Sequence, residues 1–299
     1  MKKHHITIGI PAYNEEANIS HLLNDLLRQN KKYFAIESIY VVSDGSQDKT
    51  VKYAKKFAQY GVKVINNKMR QGAASVQNQI LAKSNTETLV LLNADIMITD
   101  KNFLTKLIDP IINHGVDLSC SSIKELKPQT FTENVIFTSM KLKNSVFEKY
   151  KNGNNIYTCH GTARAFSKEL YKQLKFSQSV GEDAYSYLFC KSRGYKYKYA
   201  KKAELYYRAP NNYQDHKKQS LRFMDSKKKL SNSFGKEFVE QEYKIPTLCL
   251  LYISLFYLIR YPVHMLSYSS MYMSIRIKSM FKPTIREMWD ISKSSKVLR

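Results

Sequence analysis

The chain has 299 residues, of which 43% are hydrophobic and 24% charged, with 10 Gly and 7 Pro. These values are typical of a folded globular protein and exclude a disordered, collagen-like or Pro-rich chain. The 48 Lys and Arg exceed the 25 Asp and Glu, which gives a net charge of +23 and indicates an anionic partner. Because the basic excess and the longest apolar runs share the C-terminal third, a membrane surface is favoured over nucleic acid.

The first half of the chain alternates short β-rich runs with amphipathic helices. Strands are predicted at 6–10, 36–42, 62–65 and 87–92, and helices at 15–28, from about 46, and at 72–82. Because a helix follows each of the first three strands, the pattern predicts an α/β fold with a mostly parallel central sheet and helices on both faces.

Beyond residue 115 the pattern becomes mixed. Strands are predicted at 116–123, 157–166 and, as an edge strand, 195–207, with helices at 133–150, 181–190 and 214–230. The four Cys are far apart in the sequence and no apolar leader opens the chain, so a reducing cytosolic location is expected.

The last segment contains an apolar run at residues 245–259 that is interrupted by Arg260 and Pro262. A membrane-spanning helix needs roughly 20 apolar residues, so helices lying in the membrane interface are favoured. A single spanning helix that extends to Leu266 and a core helix packed on the main domain stay open as alternatives. We therefore divide the chain into a main domain, 1–235, and a membrane-associated helical segment, 236–299, with Lys or Arg at positions 276, 278, 282 and 286.

Polar side chains follow three of the predicted parallel strands. Residues 11–16 follow the first strand, Asp44 follows the second, and Asn93 and Asp95 follow the fourth. In a doubly wound sheet, ligands bind beyond the carboxyl ends of the strands. Neither of the two glycine-rich phosphate-binding motifs, G-x-x-x-x-G-K-S/T and G-x-G-x-x-G, follows a predicted strand. A site built on carboxylates would therefore need a cation to hold an anionic diphosphate. Oxygen ligands at Asp95 suit Mg²⁺ or Mn²⁺.

Five segments in order resemble the family 2 glycosyltransferases of GT-A fold, including those of bacterial cell-envelope and exopolysaccharide synthesis. They are IGIPAYNEEANI, VVSDGSQDKT, MRQGAASVQNQIL, LVLLNADI and GEDAYSYLFCKSRGYK, and the resemblance covers about residues 4–230. It implies inverting transfer of a sugar from a UDP- or GDP-linked donor to a hydroxyl group, with Asp183 as the general base.

The resemblance also assigns the other motif residues. On the donor side it implies that Pro11, Ala12, Tyr13, Glu15 and Asp44 hold the base and ribose, that Arg70, Gly72 and Asn78 cross the nucleotide, and that Asn93 and Asp95 replace the family's D-x-D. Asp95 would then be the ligand of the metal and diphosphate. The resemblance also implies that Glu182 and Arg164 lie on the acceptor side. Gln219, Arg222 and Phe223 would lie there too and form a group similar to the Q-x-x-R-W motif.

Three functions stay open. The first is a glycosyltransferase on the cytoplasmic face of the cell membrane that builds envelope glycan on a lipid-linked or polysaccharide acceptor. The second is a polyprenyl-phosphate sugar transferase, for which Asp183 would be less necessary because the acceptor is already an anion. The third is a basic nucleic-acid-binding protein, since residues 195–207 interleave Tyr and Lys. The carboxylate loops would repel a phosphate backbone, so no nucleic-acid partner is expected.

Overall fold

The computed structural model describes residues 3–177, 181–281 and 298. The strands are β1 (His4–Ala12), β2 (Phe34–Ser43), β3 (Val62–Asn66), β4 (Thr88–Leu92), β5 (Leu118–Glu125), β6 (Ala163–Ser167) and β7 (Tyr197–Tyr207). The helices are α1 (Ile19–Leu27), α2 (Thr50–Lys55), α3 (Ala73–Lys83), α4 (Phe103–His114), α5 (Phe131–Phe147), α6 (Lys168–Gln173), α7 (Glu182–Ser192), α8 (Tyr213–Phe234), α9 (Lys236–Glu242), α10 (Thr247–Arg260) and α11 (Pro262–Phe281).

In the described part of the chain, the strands form one sheet in the order β3-β2-β1-β4-β6-β5-β7. Strand β6 runs antiparallel to its neighbours β4 and β5, and the other pairings are parallel. The predicted mostly parallel sheet is confirmed, and β7 lies at its edge as expected. The reversed strand β6 matters for function, because its first residues meet the carboxyl end of β4.

Both faces of the sheet are covered by helices, which follows from the side-chain alternation of the strands. In β4, Val90 and Leu92 join one core with α1 and α4, whereas Leu89 and Leu91 join a second core with α3 and α7. A strand buried on both faces reads as a continuous apolar run, as β4 does.

The strand predicted at 157–166 is wrong in its first half. Only Ala163–Ser167 is strand, and a short 3₁₀ turn occupies Ile156–Thr158. The turn forms because the side-chain amide oxygen of Asn155 accepts a hydrogen bond from the Tyr157 main-chain N–H at 3.1 Å. The Tyr157 hydroxyl then donates to the main-chain oxygen of Tyr243, which fixes the segment against α9.

Helix boundaries also differ from the predicted ones. Helix α1 begins at Ile19 rather than at Glu15, because Asn14 has a left-handed φ of 50° and the Glu15 carboxylate accepts from the Asn18 side chain at 3.0 Å. Helices α4 and α6 were not predicted, and α9 lies in the segment 236–299 that was predicted to be helical. The apolar spacing of Phe103, Leu104, Leu107 and Ile108 is helical and marks the buried face of α4.

The predicted domain boundary at Gly235 coincides with the break between α8 and α9. Helix α9 nevertheless packs into the second core. Val239 is fully buried, and Glu242 accepts a hydrogen bond from the Tyr187 hydroxyl at 2.8 Å. A cut at Gly235 would therefore remove buried side chains from the main domain, and the structurally separate layer begins with α10.

This C-terminal layer, helices α10 and α11, packs on α5 through a small apolar cluster around Leu142, Val146 and Ile253. Its remaining apolar side chains face outward. Leu248, Leu251, Leu255 and Leu258 are 84, 60, 58 and 40% exposed, so the alternative that they face the main domain as core is wrong. Of the predicted basic positions beside the layer, Lys282 and Arg286 lie outside the described residues.

Among the described residues, no helix by itself combines the length and the hydropathy that a membrane crossing requires. Helices α9 and α10 combine the two only as a pair, with a bend of 44° between them.

Candidate functional site

The loops that follow β1 and β2 are joined by hydrogen bonds. The main-chain N–H of Asn14 donates to the Ser46 hydroxyl at 3.1 Å, and the side-chain amide oxygen of Asn14 accepts from the Gln47 N–H at 2.9 Å. The N–H of Glu15 donates to the Thr50 hydroxyl at 2.7 Å. Asn tolerates the left-handed backbone at position 14 because its short polar side chain bonds locally. The two predicted donor loops are therefore one rigid unit.

Asp44 organises a third loop at the same sheet edge. Its carboxylate is 5% exposed and accepts from the main-chain N–H groups of Gln71 at 2.6 Å and Gly72 at 3.0 Å. Arg70 Nε lies 3.9 Å from Asp44 Oδ2. A Cβ at Gly45, where φ is +73°, would lie 2.8 Å from the Arg70 nitrogen, so only glycine allows this approach.

The Arg70 guanidinium lies over the Tyr13 ring, 4.4 Å from its centroid. Tyr13 follows the residues Pro11 and Ala12 at the end of β1, and the Ala12 main-chain oxygen accepts from the Asp44 N–H at 2.8 Å. A flat ring and a flat cation thus stand together where the resemblance places a nucleotide. Both groups can stack on a base, and the cation also favours phosphate.

The carboxyl end of β4 meets the segment before β6. The Asn93 main-chain N–H donates to the Thr162 oxygen at 2.9 Å, and both Asn93 and Asp95 are half-buried beside this contact. A Cβ placed on Gly161 would stand 3.7 Å from the Asp183 side chain. Residues 161–162 therefore lie between the turn that carries the predicted metal ligand and the predicted base.

Asp183 lies in the first turn of α7, after Gly181. Its Oδ1 accepts from the main-chain N–H of the next residue, Ala184, at 2.8 Å. Burial raises the pKa of the neighbouring Glu182, the charge of Asp183 raises it further, and Arg222 on α8 lowers it. The structure thus brings the two acidic residues and the predicted acceptor-side Arg222 into one electrostatic group.

Arg164, which the resemblance places on the acceptor side, is buried instead, with 1% of its surface exposed. Its guanidinium donates to the Glu182 main-chain oxygen at 2.8 Å, to the Ser186 hydroxyl at 2.6 Å and to the Gln77 amide oxygen at 2.8 Å. Arg164 therefore positions the start of α7. All five residues of β6 are buried, which the predicted strand did not reveal.

Other predicted residues have identifiable places. The Asn78 amide exchanges two hydrogen bonds of 2.9 Å with the Phe176 main chain and ties α3 to the segment before α7. Phe223 is 54% exposed, its ring centroid is 5.7 Å from the Arg222 guanidinium, and Gln219 lies one turn earlier on α8. Burial lowers the pKa of His160 to about 4, so this side chain is neutral.

One close neighbour of the site was missed. A Cβ at Gly181 would lie 3.2 Å from the Ser226 hydroxyl, so α8 packs directly on the start of α7 at this point. Nothing in the basic sequence of α8 distinguishes Ser226 from the serines around it.

The donor atoms near Asp95 fit a cation that arrives with a diphosphate. Among the described residues, no three His, Cys, Asp or Glu side chains cluster closely enough to hold a metal ion. Asp95 and Asn93 offer carboxylate and amide oxygens, the ligand type that Mg²⁺ and Mn²⁺ prefer. Mg²⁺ is commonly held by one or two carboxylates together with substrate phosphates, which is the arrangement these residues can complete.

The sequence pattern described as Glycosyl transferase family 2 matches residues 7–175, more than half of the chain. The chain belongs to glycosyl transferase family 2. Glycosyltransferase AglE of Haloferax volcanii is 28% identical over 149 residues, which are 48% of each chain. Uncharacterized protein MJ1222 of Methanocaldococcus jannaschii is 29% identical over 122 residues, 41% of this chain and 48% of its own. The chain thus spans about half the length of the curated relatives it matches.

Solved structures share the fold of this family 2 chain. Mannosyltransferase PcManGT from Pyrobaculum calidifontis, in complex with GDP-Man and Mn²⁺, has a TM-score of 0.61 at 16% identity, covering 94% of this chain and 82% of its own. Glucosyl-3-phosphoglycerate synthase from Mycobacterium tuberculosis, with Mn²⁺, UDP and phosphoglyceric acid, has a TM-score of 0.57 at 17% identity. The match covers 78% of this chain and 79% of the synthase chain. TarS of S. aureus, with UDP-GlcNAc, has a TM-score of 0.55 at 21% identity, and the match covers 68% of this chain and 58% of the TarS chain. The predicted GT-A fold is confirmed.

Proposed function

We propose that this chain transfers a sugar from a UDP- or GDP-linked donor to an acceptor at the carboxyl edge of the sheet. The observation that carries this proposal is the convergence of four loops there. The Asp44-bound loop with Arg70 and Tyr13 suits the nucleotide, and residues 161–162 join the Asn93–Asp95 turn to Asp183. Similar structures in complex with UDP, UDP-GlcNAc or GDP-Man support a nucleotide-sugar donor.

The donor leaves a nucleoside diphosphate, whose developing charge must be neutralised. Asp95, assisted by Asn93, would hold Mg²⁺ or Mn²⁺ against the diphosphate. A cation bound there supplies Lewis-acid stabilisation of the leaving group. Arg70 adds a fixed positive charge on the nucleotide side of the same edge.

The acceptor oxygen attacks the anomeric carbon as its proton passes to Asp183, and the bond from that carbon to the diphosphate oxygen breaks. Ala184 fixes Asp183 Oδ1 by its main-chain N–H, which leaves Oδ2 as the oxygen that accepts the proton. Inversion at the anomeric carbon follows from the family resemblance.

We propose a hydroxyl group of a lipid-linked or polysaccharide acceptor in cell-envelope glycan synthesis, with the enzyme attached to the cytoplasmic face of the membrane. The outward apolar side chains of α10 and α11 support attachment, and the rising basic charge suits an anionic surface. The second candidate is a phosphate oxygen of a polyprenyl phosphate, which needs no general base.

The proposal is tested by incubating the purified full chain with radiolabelled UDP-glucose, UDP-GlcNAc and GDP-mannose, a membrane lipid extract and Mn²⁺. We expect label from at least one donor to enter the lipid or glycan fraction, and no label to enter it with the Asp95→Ala variant. Absence of transfer from every donor, together with absence of UDP and GDP binding, would contradict the proposal.

A further inference from the structure

A cavity of about 310 Å³ lies between α5, α10 and α11, outside the sheet edge that forms the donor site. Its volume falls in the range of small-molecule pockets. Most of its wall is hydrocarbon and aromatic, from Leu142, Met265, Tyr272 and Met273 among others, with Ser254 opposite them. Such a wall suits an apolar chain rather than a sugar.

One charged side chain, Lys143, lines this cavity. Its ammonium donates to the Tyr268 hydroxyl at 2.7 Å and lies 5.0 Å from the centroid of that ring. In the described part of the chain it forms no ion pair with a carboxylate. An ammonium has three donors, and a partly buried charge without a counter-ion is costly, so the position favours a bound anion.

A second polar group beside Tyr268 lacks a partner. His216 on α8 is 7% exposed, and its Nδ1 has no hydrogen-bond partner among the described residues. Its ring centroid is 5.9 Å from that of Tyr268. Buried polar atoms without a partner are rare in native structures, so this atom points to a ligand group that completes the site.

Helix α8 connects the cavity with the catalytic edge. His216 precedes Arg222 by six residues, a rise of about 9 Å along the helix axis. Arg222 acts on the ionisation of Glu182, next to the predicted base. Leu251 and Leu266, which are close in sequence to the lining residues Ser254 and Met265, are exposed apolar side chains of the C-terminal layer. Helix α8 thus has one residue beside the cavity wall and another that acts on the ionisation of Glu182.

We propose that this cavity binds the apolar chain of a long-chain lipid phosphate, with the phosphate paired with Lys143. The proposal rests on the proposed function and narrows it to acceptors that carry a phosphorylated lipid, which leaves out a lipid-free polysaccharide. A flat membrane surface would contact the outward leucines but would leave Lys143 unpaired inside the layer.

Calorimetric titration of the full chain in detergent tests the proposal, with farnesyl phosphate as the probe and farnesol and inorganic phosphate as comparison ligands. We expect farnesyl phosphate to bind roughly tenfold or more tightly than farnesol, since the head group adds a charge-assisted contact. Lys143→Met should remove this advantage and leave farnesol binding unchanged. Its control is Lys141→Met, an exposed lysine on the same helix.

A second pair of variants tests the apolar wall. Ser254→Phe fills the cavity and should weaken both farnesyl ligands at least about tenfold, whereas Ser270→Phe, an exposed position on α11, should weaken neither. The proposal is overturned if either variant binds like its control, or if inorganic phosphate displaces farnesyl phosphate.

Binding of UDP and GDP with Mn²⁺ is measured on the same preparations and also reports folding. Preserved nucleotide binding with no discrimination between the farnesyl ligands overturns the cavity proposal alone. Preserved lipid binding with no nucleotide binding counts against the proposed sugar transfer and leaves the cavity assignment standing.

Discussion

The donor edge of the sheet and the C-terminal layer are built in opposite ways. At the donor edge, loops distant in sequence are fixed by hydrogen bonds between side chains and main chain, as at Asp44 with Gln71 and Gly72. The C-terminal layer is held by a small apolar cluster around Ile253 and by a few hydrogen bonds between side chains, such as that of Lys143 with Tyr268. It leaves Leu248 and Leu251 largely exposed.

The difference separates two tasks. A rigid edge suits a charged nucleotide whose groups must be met at fixed positions. A layer with outward apolar side chains suits a partner that is apolar and deformable, such as a bilayer. The predictions below test whether catalysis and stability depend on the donor edge, and whether membrane attachment depends on the C-terminal layer.

The largest effect is expected from Asp183→Asn at the rigid edge. The amide cannot accept the acceptor proton, so transfer to a hydroxyl should fall about 10²–10⁴-fold. Nucleotide binding should be unchanged, because the donor loops lie elsewhere on the edge. Steady-state transfer rates and nucleotide titration of the purified variant check both parts. Near-normal turnover would favour the polyprenyl-phosphate acceptor.

Arg164→Met should change stability rather than acceptor affinity. The variant leaves the Glu182 main-chain oxygen and the Gln77 amide oxygen without their buried donor, which should cost about 3 kcal/mol in the free energy of unfolding. Urea unfolding measures it, with the exposed Arg193→Met as the control. An unchanged stability with a raised KM for the acceptor would restore the acceptor-side role.

The third prediction concerns the C-terminal layer. Replacing Leu251 and Leu255, which are both exposed, together by Glu should lower binding to anionic vesicles at least about tenfold. The reason is that each leucine side chain that becomes buried in the bilayer contributes on the order of 1.5–3 kcal/mol to binding. The same change at Tyr33 and Tyr60, which are exposed on the main domain, is the control. High salt should release only part of the bound wild type. Full-length protein that ignores such vesicles at low salt would contradict the attachment.

Sequence patterns predicted what local periodicity encodes. β1 and β2 are β-branched runs, and α1 has a clear apolar face, so all three were found. Helix α1 begins later than predicted because the contact between Glu15 and Asn18 belongs to the preceding loop. Residues 157–158 form a turn that is held by Tyr243, the residue that follows the distant helix α9. Such tertiary contacts leave no periodic signal.

The candidate site divides in the same way. Asp44, Asp95 and Asp183 stand in recognisable motifs, and the structure brings their loops to one edge. The burial of Arg164 depends on the register of β6 against β4, and the place of Lys143 in the cavity wall depends on how α10 and α11 pack on α5. Neither register nor packing could be derived from these residues alone.

The most direct test of the central claim is thermal unfolding with UDP or GDP, with and without Mn²⁺. At 100 times its dissociation constant, one nucleotide with Mn²⁺ should add about 2.7 kcal/mol of stability and raise the Tm of the wild type. The Asp95→Ala variant should lose this metal-dependent gain, and the exposed Asp109→Ala control should keep it. If neither nucleotide raises the Tm, or if Asp95→Ala responds like the wild type, the donor site is not at this edge.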